Sequence, residues 1–361
     1  MTLAYAKTRA RWEPLYEMTQ VKGDGETLAT LSPDDLFADY ETWLSPDFSM
    51  EGLDKTIQQS SLFESSFEVS QLEGEYARSG LKRGLELDEQ LGANPFKFGM
   101  IGSSDIHTSM TTVEENNFFS KMPFQEPSAD RADRPSGLFA TKDYTASGLA
   151  AVWAQENTRA SIFDAMQRRE TYATTGSRIM LRFFGGWNFE EDDYARPDYA
   201  AVGYRKGVPM GGDMTQAPEG KAPRFMVVAS KDPEGANLER VQIVKGWIGA
   251  DGAAHEKVWD VKLTDGRKPD RKGKMRPPIK STVDIDAATY TNTVGQAQIA
   301  SVWEDPAFDP DQRAFYYVRV LEIPTPRWTT YDAAFYGSKR PEDIPAEQQE
   351  RAYSSPIWYT P

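Results

Sequence analysis

Short apolar runs alternate with helix-like spacing along the first half of the chain. The run 96–101 has the length and composition of a buried parallel strand, and the leucine spacing before it predicts a helix over 67–91 that stops at the following glycine. Further on, 148–154 predicts a small buried strand, and Thr158 caps a helix that we expect over 158–169. This order of strand and helix is typical of a parallel α/β domain.

Three further segments complete this half. Ser32, followed by a proline and two aspartates, predicts a helix that runs to about Trp43. The segment 122–142 is rich in Pro, Asp, Arg and Ser, and we interpret it as a candidate lid because a loop of that length usually covers or serves a site. The run 179–184 predicts another strand. We therefore expect an α/β domain over residues 1–187.

The pattern changes after Trp187. A polar stretch rich in Gly and Pro is followed by short β-rich runs without a comparable helix: 225–229, 241–248, 255–263, 298–302 and 315–322. The pairs Asp251-Gly252 and Asp265-Gly266 are typical of hairpin turns. These features predict an antiparallel β-sandwich over residues 188–361, packed against the first domain.

Composition limits the classes of function. The chain has 361 residues and a net charge of −14, which argues against nucleic acid or anionic lipid as a partner because both require a basic face. No stretch of the sequence approaches the roughly 20 apolar residues of a membrane span. The N-terminus lacks the apolar core of a signal peptide, and the sequence leaves the cellular location of the protein open. With no cysteine, any metal must be held by carboxylate and imidazole groups, which favours manganese, zinc, iron or magnesium.

The best candidate for chemistry follows the 96–101 run. Asp105 and His107 come directly after a turn of small residues, where the C-terminal mouth of a barrel strand would present metal ligands. The two residues share a face if the backbone is extended. A hydrogen-bonded Asp–His pair without metal is the alternative, because a metal site needs about three or four protein ligands. His255, the other histidine of the chain, is expected on a surface strand.

Other residues could complete such a site. Glu26 lies at the end of a short apolar run and is a candidate third metal ligand, although a surface turn is an equal alternative. Lys22 and Arg178 are candidate partners for a phosphate or sulfate group. For each of these two, an ordinary solvated or ion-paired side chain is the alternative.

A series of blocks along the whole chain resembles one family. The blocks are Trp12–Glu17, Val21–Asp24, Leu31–Glu41, Gly102–His107, Glu170–Arg178, Arg182–Trp187, Val241–Trp247 and Phe315–Trp328. They resemble the C-terminal portion of a large bacterial family of unknown function that is related to the PHP (polymerase and histidinol phosphatase) superfamily.

The resemblance implies a partial, distorted (β/α) barrel followed by the β-sandwich. It also implies a divalent metal centre that hydrolyses small anionic esters, either phosphoesters or sulfate esters. By this resemblance, Asp105 and His107 match the Asp-x-His metal motif that occurs late in the sequence of such barrels. Members of the family are often exported, but this chain shows no signal peptide.

Two differences from the family leave more than one function open. The paired-histidine segment Gly-Asp-Leu-His-x-His-Thr is absent, and Leu28 stands where relatives are expected to carry histidine. The chain is then either a truncated hydrolase that needs an N-terminal segment or a partner chain, or a degenerate relative that binds a ligand or partner without turnover. A third possibility is a sandwich that recognises glycans or partner surfaces through exposed tryptophans.

Overall fold

The structure is a computed structural model that describes residues 1–42, 72–110, 112–136, 139–270 and 273–361. It combines helices with several mainly antiparallel sheets. Within the described ranges no sheet closes into a barrel. None of the helices there has the length and apolar content needed to cross a membrane.

The five α-helices are spread along the chain. They are α1 (Leu3–Trp12), α2 (Ala77–Leu91), α3 (Arg159–Gln167), α4 (Tyr199–Lys206) and α5 (Trp328–Tyr336), counted in the described part. Two of the predicted helices are confirmed by their ends. Helix α2 stops at Gly92, whose φ of 75° is left-handed, and Thr158 caps α3 by accepting a hydrogen bond from the backbone N–H of Ser161 at 3.3 Å. The first of them begins only at Ala77, ten residues later than predicted: residues 73–75 form a turn, and residues 67–71 lie outside the described residues.

The strands are more numerous than the helices. They are β1 (Leu15–Gln20), β2 (Gly23–Asp24), β3 (Gly99–Gly102), β4 (Pro135–Ser136), β5 (Phe139–Ala140), β6 (Leu149–Val152), β7 (Thr171–Thr174), β8 (Met180–Gly186), β9 (Gly207–Pro209), β10 (Asp213–Thr215), β11 (Arg224–Ser230), β12 (Leu238–Ile248), β13 (Ala254–Leu263), β14 (Gln298–Glu304), β15 (Ala314–Glu322), β16 (Thr325–Pro326), β17 (Glu347–Gln348), β18 (Arg351–Ser354) and β19 (Ile357–Thr360). All five β-rich runs predicted in the second half are therefore strands.

A small sheet of order β2-β1-β3 carries the predicted strand after α2. Strands β1 and β3 are parallel, with Leu15 beside Gly99 and Tyr16 beside Met100. Parallel pairing is thus confirmed for this strand. It begins three residues later than predicted because Asn94 accepts a hydrogen bond from the backbone N–H of Phe96 and holds a turn there.

Two larger sheets form a sandwich. One has eight strands in the path β10-β19-β15-β18-β7-β6, with β12 on β15 and β13 on β12; the other has the order β14-β11-β8-β9. Side chains from both sheets meet in one core, for example Phe183 and Val227 from the smaller sheet and Ile243 and Val318 from the larger. The predicted antiparallel strands are present, but both sheets also contain strands from before Trp187, namely β6, β7 and β8, so they are not confined to 188–361.

The turns of the sandwich agree only in part with the prediction. The turn at Asp251-Gly252 connects the antiparallel pair β12 and β13, as predicted. Asp265 and Gly266 also form a turn, with φ of 56° and 69°. It joins no hairpin, because β13 pairs with β12 and the next strand, β14, pairs with β11.

The prediction of a parallel α/β domain with barrel strands is wrong for β6 to β8. These strands pair antiparallel with their neighbours, and β7 and β8 pair with β18 and β11 from beyond Trp187. Continuous burial of Thr171–Thr174 resembles a parallel strand only because both faces of this antiparallel sheet are covered. The division into 1–187 and 188–361 stays a prediction, although strand pairing crosses it. Strand β6 is half-exposed rather than buried because it lies at the sheet edge.

The helix predicted from Ser32 is also wrong within the described residues, where the chain forms turns. The Ser32 hydroxyl donates to a carboxylate oxygen of Glu256 at 2.6 Å instead of capping a helix. Asp35 faces the buried guanidinium groups of Arg78 and Arg319, at 2.9 and 2.7 Å. Tertiary ion pairs therefore override the local capping signal. The predicted end at Trp43 lies outside the described residues.

The candidate lid over 122–142 consists of single helical turns and short strands. Arg131 fixes it to the rest of the molecule by donating to the carbonyl of Phe118 at 2.7 Å and to a carboxylate oxygen of Asp332 at 2.8 Å. Its beginning contacts the candidate site through the preceding residue, Lys121.

Candidate functional site

The ends of the parallel strands β1 and β3 bring Lys22 and Asp105 together. The backbone N–H of Ser103 donates to the carbonyl of Thr19 at 3.0 Å, and that of Val21 donates to the carbonyl of Ser104 at 3.2 Å. These bonds extend the pairing beyond the strands. Because C-terminal ends of parallel strands meet at one sheet edge, residues that follow them face each other.

Gly102 allows this edge to close. A Cβ atom there would lie 2.8 Å from the carbonyl oxygens of Leu149 and Thr174, so a larger residue would push β3 away from β6 and β7. Asp105 itself adopts a left-handed φ of 49°. The backbone is therefore not extended here, contrary to the expectation, and the turn rather than strand alternation brings its side chain to that of His107.

Asp105 is the centre of the cluster. Its Oδ2 accepts hydrogen bonds from the ammonium groups of Lys22 and Lys121, the latter at 2.7 Å, and its Oδ1 lies 3.1 Å from Nε2 of His107. Burial raises the pKa of Asp105, but hydrogen bonds from Lys121, Lys22 and His107 outweigh it and hold that pKa well below its usual range. The carboxylate is thus ionised and bound on both oxygens.

Lys121 was missed by sequence reasoning. It lies 16 residues after Asp105, yet its ammonium group also donates to the carbonyl of Asp105 at 3.0 Å, and its own carbonyl accepts from the backbone N–H of His107 at 2.9 Å. No periodicity or motif marks a lysine within an irregular segment. The contact of Lys121 with Asp105 can therefore be recognised only from the three-dimensional structure.

The donor chemistry of this cluster suits a divalent cation, but the number of ligands does not. Asp105 and His107 offer one carboxylate and one imidazole, and His107 is half-exposed. Within the described residues no group of three or more His, Cys, Asp or Glu side chains is placed to hold a metal ion. The present residues therefore fit part of a metal site and not a complete one.

Glu26 does not join the Asp105 cluster through any contact in the described part. It is buried and accepts from Arg78 at 2.6 Å, from Arg319 at 2.9 Å and from the hydroxyl of Tyr317 at 2.7 Å. Burial raises the pKa of Glu26, but Arg319 and Arg78 outweigh it and lower that pKa overall. To bind a metal, Glu26 would first have to leave two buried arginines.

The remaining candidates lie apart from one another. Arg178 is exposed, and its backbone N–H donates to Asp232 at 2.8 Å. His255 lies on β13 with Nε2 3.0 Å from a carboxylate oxygen of Asp251, in the exposed position that was expected. Leu28 is buried in a small apolar cluster.

The cavity next to Lys22 bears on whether an anion could bind there. A cavity of about 340 Å³ opens beside Lys22, and its other ionisable walls are mainly acidic, with Glu17, Asp24, Glu41 and Glu75. Burial, followed by the charge of Glu26, raises the pKa of Asp24 to about 7. The cavity next to the lysine is thus not a uniformly cationic pocket for anions.

The tryptophans of the sandwich do not form an exposed binding face. Trp259 and Trp358 are buried. Trp187, Trp247 and Trp303 pack against the core. Core packing explains these side chains, so glycan stacking by the sandwich has no support from their positions.

Comparison with known proteins gives a family but no activity. No curated protein and no solved structure matches the chain. The family model described as a protein of unknown function (DUF3604) matches residues 1–361. The chain therefore belongs to the DUF3604 family.

Proposed function

We propose that the protein is a metal-dependent hydrolase of small anionic esters, either phosphoesters or sulfate esters, whose metal centre is only partly supplied by the described residues. The proposal goes beyond membership of the DUF3604 family and relies in addition on the resemblance to PHP-type hydrolases. One structural observation supports it most: Asp105, His107, Lys22 and Lys121 converge where two parallel strands end.

The four side chains suit different parts of one task. Asp105 and His107 would hold the cation, because carboxylate oxygen and imidazole nitrogen are ligands for manganese, zinc, iron or magnesium. Lys22 and Lys121 would face the negative oxygens of the ester. A bound cation would acidify a water molecule and neutralise charge on the group being cleaved.

Further ligands would have to complete the centre. The described residues supply two, and about three or four are needed. We propose that the others come from a further segment or a partner chain, as the paired-histidine motif of the resembled family suggests. Glu26 stays a proposed ligand only if it can exchange its arginine partners for a cation.

Metal binding tests the proposal, and the chain offers a matched control. His255 and Asp251 form a second exposed His–Asp pair on a hairpin, 3.0 Å apart. We expect Mn²⁺ or Zn²⁺ binding by the purified protein to fall at least tenfold in Asp105→Asn and His107→Ala, and to stay unchanged in Asp251→Asn and His255→Ala. Equal binding in both sets of variants would exclude the assigned ligands.

Activity is tested separately, because the centre is incomplete. Hydrolysis of 4-nitrophenyl phosphate and 4-nitrophenyl sulfate should appear when the protein is combined with the segment or chain that carries the missing ligands. The activity should be lost in Asp105→Asn. Turnover that persists in this variant would remove the hydrolase assignment.

A second function is supported by the occupied state of Asp105. Both of its oxygens are already bound by side chains, and Leu28 lies in an apolar cluster. These features favour a degenerate relative that binds an anionic ligand or a partner without turnover. Absence of any divalent ion in protein purified without chelator, together with phosphate or sulfate binding that depends on Lys22 and Lys121, would favour this function over hydrolysis.

A further inference from the structure

A second cavity, separate from the Asp105 cluster, is lined by acidic groups. It has a volume of about 180 Å³ and lies between the segment 113–116, the end of β15 and the residue before β18. We call it the Glu115 cavity. Its carboxylates are Glu114, Glu115, Asp232, Glu234, Glu322 and Glu350, and no lysine or arginine is among its lining residues.

Three of these carboxyl groups, Glu115, Glu322 and Glu350, are buried and form no ion pair with any lysine or arginine that the structure describes. Glu322 accepts from the hydroxyl of Ser177. Glu350 accepts from the hydroxyl of Thr175 and from the side-chain amide of Gln348, the amide at 2.6 Å. These partners are neutral, so no cation among the described residues would balance a negative charge on either group.

Most other buried carboxylates in the described chain show a different arrangement; Asp24, which accepts only from the backbone N–H of Glu26 and the hydroxyl of Tyr353, is an exception. Glu26 is bound by two arginines, Asp35 is bound by the same two, and Asp305 accepts from Lys245 at 2.7 Å. The fold thus supplies cations to most buried acids elsewhere. The Glu115 cavity differs because three buried acids without a direct cationic partner among the described residues line one space.

Glu115 provides a second, independent sign of a missing ligand. One oxygen, Oε2, accepts from the backbone N–H of Trp328. The other, Oε1, is buried and accepts no well-formed hydrogen bond from the described residues, although the backbone N–H of Ala146 also lowers the pKa of Glu115. Glu115 is 9% exposed and lines the cavity. An unpaired buried oxygen lowers the stability of the folded state, so a donor that enters the cavity would remove that cost.

Two described cations whose charges act on these acids have other partners. Arg327 binds both carboxylate oxygens of Glu41, at 2.8 and 3.0 Å, although its charge also acts on Glu115. Lys231 donates to three backbone carbonyls, at 2.7 to 3.2 Å, and its charge acts on Glu322. Neither side chain fills the cavity.

The protonation of these acids agrees with a missing positive group. Burial raises the pKa of Glu115 and of Glu322 to about 8 each, and it raises that of Glu350 well above its usual value. Asp232 raises the pKa of Glu322 further, and the charges of Glu115 and Glu322 act in the same way on Glu350. Near neutral pH the acids hold protons that an entering cation could displace.

Size and lining distinguish an organic cation from a metal ion. No metal-holding group of three acids or histidines occurs in the described part, so these carboxylates do not form the closely spaced ligand set that a metal ion requires. A cavity of about 150 Å³ is large enough for a benzene-sized molecule, and this one is of that size. Tyr290 and Tyr331 also line it, and aromatic rings attract organic cations.

We infer that the Glu115 cavity binds a small free organic cation of the guanidinium or primary ammonium class through Glu115, Glu322 and Glu350. The guanidinium or ammonium group donates to the unpaired oxygen of Glu115 and to the two other carboxylates. The rest of the molecule lies against the two tyrosines. This function does not depend on the Asp105 cluster.

Calorimetric titration of the purified full chain with methylguanidinium and n-butylammonium tests the inference. At least one of the two cations should bind, and N-methylurea, the neutral analogue of methylguanidinium, should not. Because bound carboxylates lose protons, the heat at pH 7.5 should differ between phosphate and Tris buffers, and affinity should rise from pH 6.5 to 8.5. Absence of binding by both cations at millimolar concentration would overturn the inference.

Variants locate the site. Glu322→Gln should weaken binding at least tenfold, while Glu304→Gln, an exposed glutamate on β14, should leave it unchanged. Glutamine resembles the protonated acid, so Glu322→Gln should fold, which its thermal unfolding checks. Unchanged binding in folded Glu322→Gln would exclude the cavity. Binding of Mn²⁺ or Ca²⁺ that is lost in Glu322→Gln, with no binding of the organic cations, would instead show a metal site and refute the inference.

Discussion

Lys121 donates to both the carboxylate and the carbonyl of Asp105, at 2.7 and 3.0 Å. The lysine is nearly buried, with 8% of its side chain exposed, whereas Lys22 on the same carboxylate is 37% exposed. The two ammonium groups are therefore not equivalent. Lys121 fixes the turn that carries Asp105 and His107, and Lys22 remains accessible to a ligand.

This difference predicts unequal effects of removing each lysine. Lys121→Met should lower the free energy of unfolding by about 1–3 kcal/mol, because it removes charge-assisted bonds from a partly buried turn. Lys22→Met should change it by less than about 1 kcal/mol, as expected for an exposed ion pair. Urea unfolding of both variants at pH 7 measures the effect. Equal losses would contradict the assigned roles.

The buried network around Glu26 predicts a larger effect. Arg319 binds Glu26 at 2.9 Å and Asp35 at 2.7 Å, and its side chain is fully buried. Arg319→Met should lower the free energy of unfolding by about 3–5 kcal/mol because two buried carboxylates lose a partner. Denaturant unfolding gives the value.

A double variant separates charge from packing in that network. Arg319→Met combined with Glu26→Gln should be more stable than the sum of the two single effects, because the second change removes one of the unpaired charges. Strict additivity would show that the guanidinium acts by filling space and not by its charge.

The pKa of Glu322 predicts a dependence of stability on pH. Its value rises from about 4.5 to about 8 on folding, so the native state holds a proton that the unfolded chain has lost. The contribution of Glu322 to the free energy of unfolding is therefore complete below about pH 4.5 and is lost as pH rises to about 8. Glu322→Gln lacks this loss, and its free energy of unfolding should increase relative to the parent protein between pH 5 and 8.5.

Unfolding of the parent protein and the variant across that range provides the measurement. Glu304→Gln is the control, since its exposed carboxylate should leave the slope unchanged. A difference between parent and Glu322→Gln that is constant with pH would show that Glu322 titrates alike in the folded and unfolded chain.

Gly176 should be far more sensitive to substitution than an ordinary turn glycine. Its φ is 145°, and a Cβ would lie 2.2 Å from the carbonyl oxygen of Val113. Gly220 also has a positive φ, 71°, but nothing lies within 4 Å. Gly220→Ala should cost about 1–2 kcal/mol from backbone strain alone. Gly176→Ala should lower the free energy of unfolding by clearly more, as measured by thermal or urea unfolding. An equal loss in the two variants would show that the segment at Val113 moves freely.

Local patterns predicted those elements whose cause is local. The stop of α2 at Gly92 and the cap of α3 by Thr158 depend on neighbours in sequence. The strands of the second half follow from runs of buried residues, and the hairpin at Asp251-Gly252 follows from its turn residues. The parallel character of β3 was predicted as well, but its partner β1 and the contact of Lys22 with Asp105 were not.

The features that sequence reasoning missed depend on distant partners. Ser32 carries a good capping signal, but its hydroxyl donates instead to Glu256, which lies more than two hundred positions away in the sequence. Strand orientation is invisible in a run such as Thr171–Thr174, because burial on both faces occurs in either type of sheet. The contact of Lys121 with Asp105 and the acids of the Glu115 cavity come from segments that only the tertiary fold unites.

Strand pairing across Trp187 limits how this chain can be divided for study. Strand β8 is bonded along its full length to β11, and β7 to β18. An expression fragment that ends at Trp187 would carry two strands with bare hydrogen-bonding edges, and the complementary fragment would carry three more, β9, β11 and β18. Such edges invite aggregation. Biochemical work is therefore better served by point variants of the intact polypeptide than by separate halves.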